Sequence, residues 1–442
     1  MPTLQDVRNQ LAKALADLDS ILEPSGTIDV LPGMNLAAMI EDNPANTTFR
    51  LHANYMYSGV DFDISKPTFI VNKDIATVPD KRVDNSYMGP IIRSQIGIKA
   101  PGVRFGAIRI EGTNPHRKLI LADDTGLDTS GLSFDRCVVL GSPQGQLCGV
   151  SVYDRNFRAA KSHIGNFWYQ GRDSQALATE RGMIDAVIDD CFLEGSGENF
   201  MAGGWELKEE RFIPSNIEFN NCHFFKPTSW KSKPGSVKNL FELKAARNVK
   251  LKNCIFENNW LDAQHGFGIQ LTTRNQNGND PFSIVENILF EDCVLKNAAQ
   301  AVNILGRDDT FPSQVMNGVT FKNFKIEGLN WATNGGNGNT FQIQGGPKNL
   351  TLDNVVVDRM PGVTTHDLVN SFLRFGTVTP ATENLIVRNC NFVEGEYGIH
   401  RDGGTPGIPS LEQCAPNYKW ETVKVKKSGY RFIAYPAGTI FV

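Results

Sequence analysis

Ile217-Glu218-Phe219-Asn220-Asn221-Cys222-His223-Phe224 decides the fold of this chain, because the phrase recurs. It consists of an apolar–x–apolar pair, a polar residue, Asn or Asp, then Cys or an apolar residue, x and an apolar residue. It returns as Val187-Ile188-Asp189-Asp190-Cys191-Phe192-Leu193 and as Val249-Lys250-Leu251-Lys252-Asn253-Cys254-Ile255-Phe256. Further copies run through 288–295, 319–326, 350–357 and 385–392, with weaker ones around Ile108, Cys137 and His163. At the Cys position the strong copies are 31, 32, 39, 31, 31 and 35 residues apart. Side chains alternate with period two on both sides of the Asn or Asp, so each copy reads as two short strands meeting at a corner. The step is too short for a propeller blade of roughly 40–45 residues, and no helical period accompanies it. Three short strands per coil give an all-β right-handed parallel β-helix. The corners Asp190, Asn221, Asn253, Asp292, Asn323, Asn354 and Asn389 agree, since Asn and Asp tolerate the left-handed backbone of a tight corner.

Working outward, the 442 residues read as one solenoid with end caps, where length alone would suggest about three domains. The expected parts are a heptad helix over 1–24, an N-terminal lead-in of irregular strands over 25–90, the β-helix over 91–400 and a C-terminal cap over 401–442. In that cap, 420–426 and 430–435 flank Lys427-Ser428-Gly429 as a hairpin. Leu4, Leu11 and Leu18 share one heptad position and Val7, Ala14 and Ile21 the other. That pattern suits a homo-oligomeric stem, with a trimer possible, or a helix capping the open core. The N-terminus reads as polar and periodic, unlike a signal peptide. No run reaches the roughly 18 apolar residues of a membrane span. A net charge of −4 argues against a nucleic-acid partner. Cys137, Cys191, Cys222, Cys254, Cys293 and Cys390 all follow a corner and point inward, one per coil. Parallel side chains on stacked coils seldom meet disulfide geometry, so these six are expected as buried thiols. Cys148 and Cys414 lie off this ladder and stay open.

Several stretches resemble an uncharacterised bacterial group of right-handed β-helix proteins in the pectate-lyase-like superfamily. They include Gly195-Ser196-Gly197-Glu198-Asn199, His223-Phe224-Phe225-Lys226-Pro227, Lys238-Asn239-Leu240-Phe241-Glu242-Leu243-Lys244, Phe256-Glu257-Asn258-Asn259-Trp260 and Val302-Asn303-Ile304-Leu305-Gly306. Ile28-Asp29-Val30-Leu31-Pro32-Gly33 followed by Leu36 is similar to that group's first strand and opening helix. The likeness covers roughly residues 25–400 and implies the fold, but no particular activity. A β-helix behind a heptad stem is also similar in plan to phage tail spikes and virion fibres.

Flat stacked sheets suit an extended polymer. Taking Met201, Phe241, Ile269, Ile304, Ile343, Leu373 and Ile399 as inward puts Glu242, Gln270, Leu305, Gln344, Arg374 and His400 outward in one column. Amides and charges on such a column can bond sugar hydroxyls. Trp230, Trp260 and Trp331 follow their Cys-equivalent positions by 8, 6 and 7 residues, as an aromatic platform or as packing beneath loops. A polysaccharide lyase would need a cation beside a uronate carboxylate and a base. Arg274 or Arg307 could serve as the cation, with Asp308 and Asp309 holding Ca²⁺. A glycoside hydrolase would instead need two carboxylates, for which Glu242 with Asp308 fits best. The competing reading of the Arg/Asp residues is a plain salt bridge at a loop base. His163, His223 and His265 show no partner at triad spacing. The expectation is therefore a glycan-binding β-helix, extracellular or virion-associated, with other virion proteins as further partners. The alternatives are a lyase or hydrolase, or a purely structural virion protein.

Overall fold

The computed structural model describes residues 26–122, 126–207, 209–233, 235–358, 369–376, 378–429 and 431–442. The heptad segment 1–24 lies outside the described residues. The chain cycles through three sheets of 14, 14 and 12 strands, and every pairing between named strands is parallel, as a parallel β-helix requires. Each recurring phrase supplies a first-sheet strand, the corner and a second-sheet strand, as in Ser215–Asn220, Asn221 and His223–Phe225. Third-sheet strands such as Asn239–Leu243 close each coil.

The corner chemistry is as the sequence implied. All seven corner Asn and Asp residues have φ between 49° and 57°. Their amides run up the stack, with Asn253 Nδ2 donating to Asn221 Oδ1 at 3.3 Å and Asn354 Nδ2 to Asn323 Oδ1 at 2.9 Å. The coils nearer the N-terminus force Ala107, Arg136 and Lys161 into the same region, at φ 50–51°. A second ladder sits five residues before each corner. There Asp185, Asn216, Asn248 and Asn287 are also left-handed, and Asn248 Nδ2 donates to Asn216 Oδ1 at 3.0 Å.

All eight cysteines are free and buried. On the ladder, each thiol donates to the carbonyl two residues back across the corner, as Cys222 Sγ does to Asn220 O at 3.3 Å and Cys293 Sγ to Glu291 O at 3.2 Å. Ser162 makes the same bond from the same position, to Ala160 O at 2.7 Å. The position thus takes a small side chain that can cap a buried carbonyl. Cys414 is in the main core and Cys148 in a small cluster with Ala178 and Met201.

Both ends differ from expectation. Gly26–Val30, Thr47–Leu51 and Thr68–Asn72 already pair in parallel, so regular coils reach into the 25–90 lead-in. Thr47–Leu51 shows period-two burial, but all three lack the Asn-Cys phrase that marks later coils. Asn35 caps the helix Leu36–Asp42, which buries Leu36 and Ile40 against the first coils. The expected C-terminal hairpin does not form. Lys424–Lys426 instead pairs in parallel with Ile440–Phe441. Buried Glu394 dictates the path between them, accepting from Lys427 Nζ at 2.9 Å, Ser428 N–H at 2.9 Å and Tyr435 Oη at 3.0 Å. Those bonds draw 427–429 and 431–435 over the end of the core, beside Leu411 and Cys414 of the helix Ile408–Cys414.

Many residues of the family resemblance meet at the turn from the second to the third sheet. Lys226 is fully buried there and donates to Gly197 O at 3.2 Å, Asn199 Oδ1 at 3.1 Å and Asn239 O at 2.6 Å. Burial pulls its pKa down to about 7. Asn259 Nδ2 bridges Lys238 O at 2.9 Å and Phe267 O at 2.8 Å one coil on. These are fold-holding roles, and they position the third sheet.

Candidate functional site

The third sheet presents one outward column across all its strands. In register it reads Asp63, Gly97, Leu121, Ser151, Ala178, Met201, Glu242, Gln270, Asn303, Gln342, Arg374 and His400. This corrects the expected alignment in three places. Asn303 and Gln342 hold the positions assigned to Leu305 and Gln344, which pair with each other two residues along. Met201 faces outward, and Phe200 fills the core. An alternating strand shifted by two keeps its facing, so the pattern alone could not reveal the slip.

Between Ser151 and Glu242 the column is sealed by neighbouring side chains. Between Gln270 and His400 it is half-exposed. The open stretch is a directional polar ladder. Gln270 Nε2 donates to Gln264 Oε1 at 3.4 Å, Asn303 Nδ2 to Gln270 Oε1 at 3.3 Å, and Gln342 Nε2 to Asn303 Oδ1 at 3.0 Å. Gln344 Nε2 joins at Asn303 Oδ1, 3.2 Å away, and Arg374 Nη1 donates to Gln342 Oε1. Arg374 Nη2 holds Asp402 at 2.8 and 3.0 Å, and His400 lies beside Tyr397 with ring centroids 4.7 Å apart. Burial lowers the His400 pKa.

Loops flank the third sheet on both sides. Among the described residues between 130 and 430, the exposed large apolar side chains are Trp205 (55%), Leu261 (47%), Phe311 (41%) and Trp331 (45%). Leu261 and Trp331 lie on connections entering third-sheet strands, and Trp205 and Phe311 on connections leaving them. Trp230 and Trp260 sit on the entering side too, but they are buried against Val237 and Trp168. Of the three tryptophans singled out in the sequence, Trp331 alone offers a surface, because the four-residue helix Trp331–Asn334 lifts it outward. Trp205 and Phe311 went unread because neither sits at a repeated spacing.

The sealed end holds a charged cluster. Glu198 and Glu242 are buried on adjacent strands, with Lys238 Nζ 3.6 Å from Glu198 and Lys244 Nζ 3.8 Å from Glu242. Glu198 Oε1 and Glu242 Oε2 have no hydrogen-bond partner. Burial, then the Glu242 charge, raises the Glu198 pKa. Lys118 Nζ donates to Tyr153 Oη at 2.6 Å and Ser151 Oγ at 3.1 Å, and Tyr153 donates to Glu180. Burial pushes Tyr153 up to about 12. Beyond it, a cleft of about 480 Å³ opens over Asp61, Asp63, Gln95, Arg117 and Lys118.

Asp308 does not join Glu242. Its carboxylate accepts the Asn275 N–H at 2.8 Å, the Thr310 N–H at 2.7 Å and the Phe311 N–H at 3.0 Å, and it faces Arg274 at 3.9 Å. Burial alone would raise its pKa, but those amides and Arg274 bring it below the usual range. Arg274 also pairs with Asp309. Arg307 Nε donates to Gly345 O at 3.0 Å. Asp308 therefore directs its lone pairs at amide protons, which suits a loop base better than Ca²⁺. Among the described residues no group of three or more His, Cys, Asp or Glu side chains could hold a metal ion.

No protein-family model matches this sequence, and no curated protein matches it. Solved structures do. The chain is similar to the catalytic unit of a thermostable GH87 alpha-1,3-glucanase from Streptomyces thermodiastaticus strain HF3-3, with TM-score 0.55 and 11% identity over 95% of this chain and 69% of that one. It is similar also to the catalytic domain of a GH87 alpha-1,3-glucanase in complex with nigerose, with TM-score 0.51 and 12% identity over 95% and 66% of the two chains. A tailspike protein, gp49 from Acinetobacter baumannii bacteriophage Fri1, a capsular polysaccharide depolymerase, aligns less well, with TM-score 0.41 and 11% identity over 80% and 56%. This chain spans about two thirds of the glucanase units it matches. At these identities the glucanases establish the shared fold.

Proposed function

We propose that this chain binds an extended polysaccharide along the outer face of the third sheet, between Gln270 and His400. One observation carries the reading: Leu261, Phe311 and Trp331 lie exposed on connections that enter or leave the strands of a half-exposed column of amides. Apolar side chains suit the CH faces of sugar rings, and fixed amides suit their hydroxyls at little entropic cost. The GH87 alpha-1,3-glucanases, which share the fold, are consistent with it. Affinity electrophoresis through gels containing single polysaccharides tests it. At least one glycan should retard the protein, and Trp331→Ala with Phe311→Ala should relieve most of the retardation. Free migration in every gel removes the reading.

A hydrolytic reading has one observation in its favour, two buried carboxylates, Glu198 and Glu242, on adjacent strands at the end of the open stretch, each with an oxygen that accepts no hydrogen bond. Release of reducing ends, abolished in Glu242→Gln, would support it. In the wider reading the protein is surface-exposed or virion-associated, with residues 1–24 as a trimeric stem. Light scattering tests that stem, and a monomer at all concentrations removes it.

A further inference from the structure

The glycan-binding reading leaves the class of polymer open, and the charge pattern of the face bears on it. Most cations there already face a carboxylate, while Lys231 and Lys233 on an entering loop lie over Trp260 and Trp168. Arg117 Nη1 is 3.3 Å from Asp61, Lys118 Nζ 3.6 Å from Glu180 and Lys244 Nζ 3.8 Å from Glu242. Lys238 pairs with Asp173 and Glu198, and Arg374 with Asp402 at 2.8 Å. On the adjoining loop Arg274 is held by Asp309. Arg307 and Arg401 face no carboxylate among the described residues but are tied down at Nε, to Gly345 O at 3.0 Å and Gln413 Oε1 at 2.9 Å. Away from Arg307 and Arg401, a uronate or sulfate arriving at this face would have to break an existing pair or sit beside a carboxylate, and like charges in contact are strongly disfavoured.

The open column itself is uncharged over three successive coils, Gln270, Asn303 and Gln342, with Gln344 alongside. Asn303 Oδ1 already accepts from both Gln342 and Gln344, and each of those amides spends one N–H on it. The second N–H of each primary amide remains to donate outward. Coils are about 4.8 Å apart, so a polymer lying along the solenoid meets a fresh amide at each coil. Such a surface matches hydroxyl oxygens and ring or linkage oxygens.

We infer that the polymer is an uncharged glycan and that Gln270, Asn303 and Gln342 set this specificity. The inference rests on the glycan-binding reading, and its test separates the two. Retention of the purified protein would be compared on immobilised α-1,3-glucan, dextran and xylan and on polygalacturonate and alginate. At least one neutral polymer should bind at least about tenfold more tightly than either polyanion. Its binding should barely change between low and high salt, since no counter-charge is screened. Gln342→Lys and Asn303→Lys each add an ammonium at a half-exposed position of the column that has no carboxylate as its in-register neighbour. They should weaken neutral binding and raise polyanion binding, reducing the ratio severalfold. Polygalacturonate or alginate binding as tightly as any neutral polymer would overturn the inference while leaving glycan binding intact. An unchanged ratio in both lysine variants would overturn the assignment of these residues. Failure to bind any of the five would overturn both the inference and the reading beneath it.

Discussion

Replacing Asn253 by Ala should destabilise the protein more than replacing it by Gly, by about 1 kcal/mol. Asn253 sits at φ 54°, where an ordinary Cβ costs roughly 1–2 kcal/mol and an Asn side chain relieves part of that cost. Ala therefore adds about 1 kcal/mol of backbone strain. It also removes the exposed bond from Nδ2 to Asn221 Oδ1, at 3.3 Å, which contributes about 0.5–1 kcal/mol. The expected loss is about 1.5–2 kcal/mol. Gly loses the same bond and gains unfolded-state entropy of about 0.4–1 kcal/mol, but it sheds the strain, so its loss should stay near 0.5–1 kcal/mol. The converse change acts at an equivalent corner: Lys161, at φ 51°, should become more stable as Lys161→Asn, because its pair with Asp80 is mostly in water. Urea unfolding followed by circular dichroism at constant slope measures all three. If Ala is tolerated as well as Gly, left-handed strain is not what selects Asn at the corners.

Other expectations follow from buried polar groups. Lys226→Met should cost at least about 3 kcal/mol, because it orphans three acceptors around a fully buried nitrogen, and a wild-type melting temperature would contradict that role. Burial lowers the His163 pKa from 6.5 to about 4, so the unfolded chain takes up this proton first as pH falls. Stability linked to His163 is thus full above pH 6.5 and is lost toward about pH 4, by about 3 kcal/mol. His163→Phe should flatten that part of the urea-midpoint profile, and an unchanged slope would refute the assignment. Adding Ca²⁺ or EDTA should leave the melting temperature unchanged, whereas Asp308→Asn should lower stability by about 1 kcal/mol as its amide contacts weaken. A clear Ca²⁺-dependent rise would restore a metal role for Asp308 and Asp309.

The solenoid was legible because one corner carries three local demands at once. Asn221 must be left-handed, Cys222 must be small and cap a carbonyl, and the flanking residues must alternate. Residues 26–72 hid their coils because no Asn-Cys or Asp-Cys pair marks their corners, although Thr47–Leu51 alternates clearly. The site was half legible. Glu242, Gln270, Arg374 and His400 followed from facing and Trp331 from its place on the coil, but Asn303 and Gln342 were displaced by two because coil length varies between strands. Lys118 meets Tyr153, and Glu198 meets Glu242, by the stacking of successive coils, and Trp205 and Phe311 lie on loops of irregular length. No local sequence rule encodes that convergence. The same holds for Glu394, whose bonds across 33 to 41 residues of chain replace the expected hairpin.

The most direct measurement is a crystal of this protein soaked with an oligosaccharide of whichever neutral polymer it retains. Sugar density should lie on the third sheet over Gln270, Asn303 and Gln342, with rings against Trp331 or Phe311. Density confined elsewhere, such as the cleft of about 550 Å³ that Arg82, Asp84, His163, Phe192 and His223 line over the second sheet, would contradict the account.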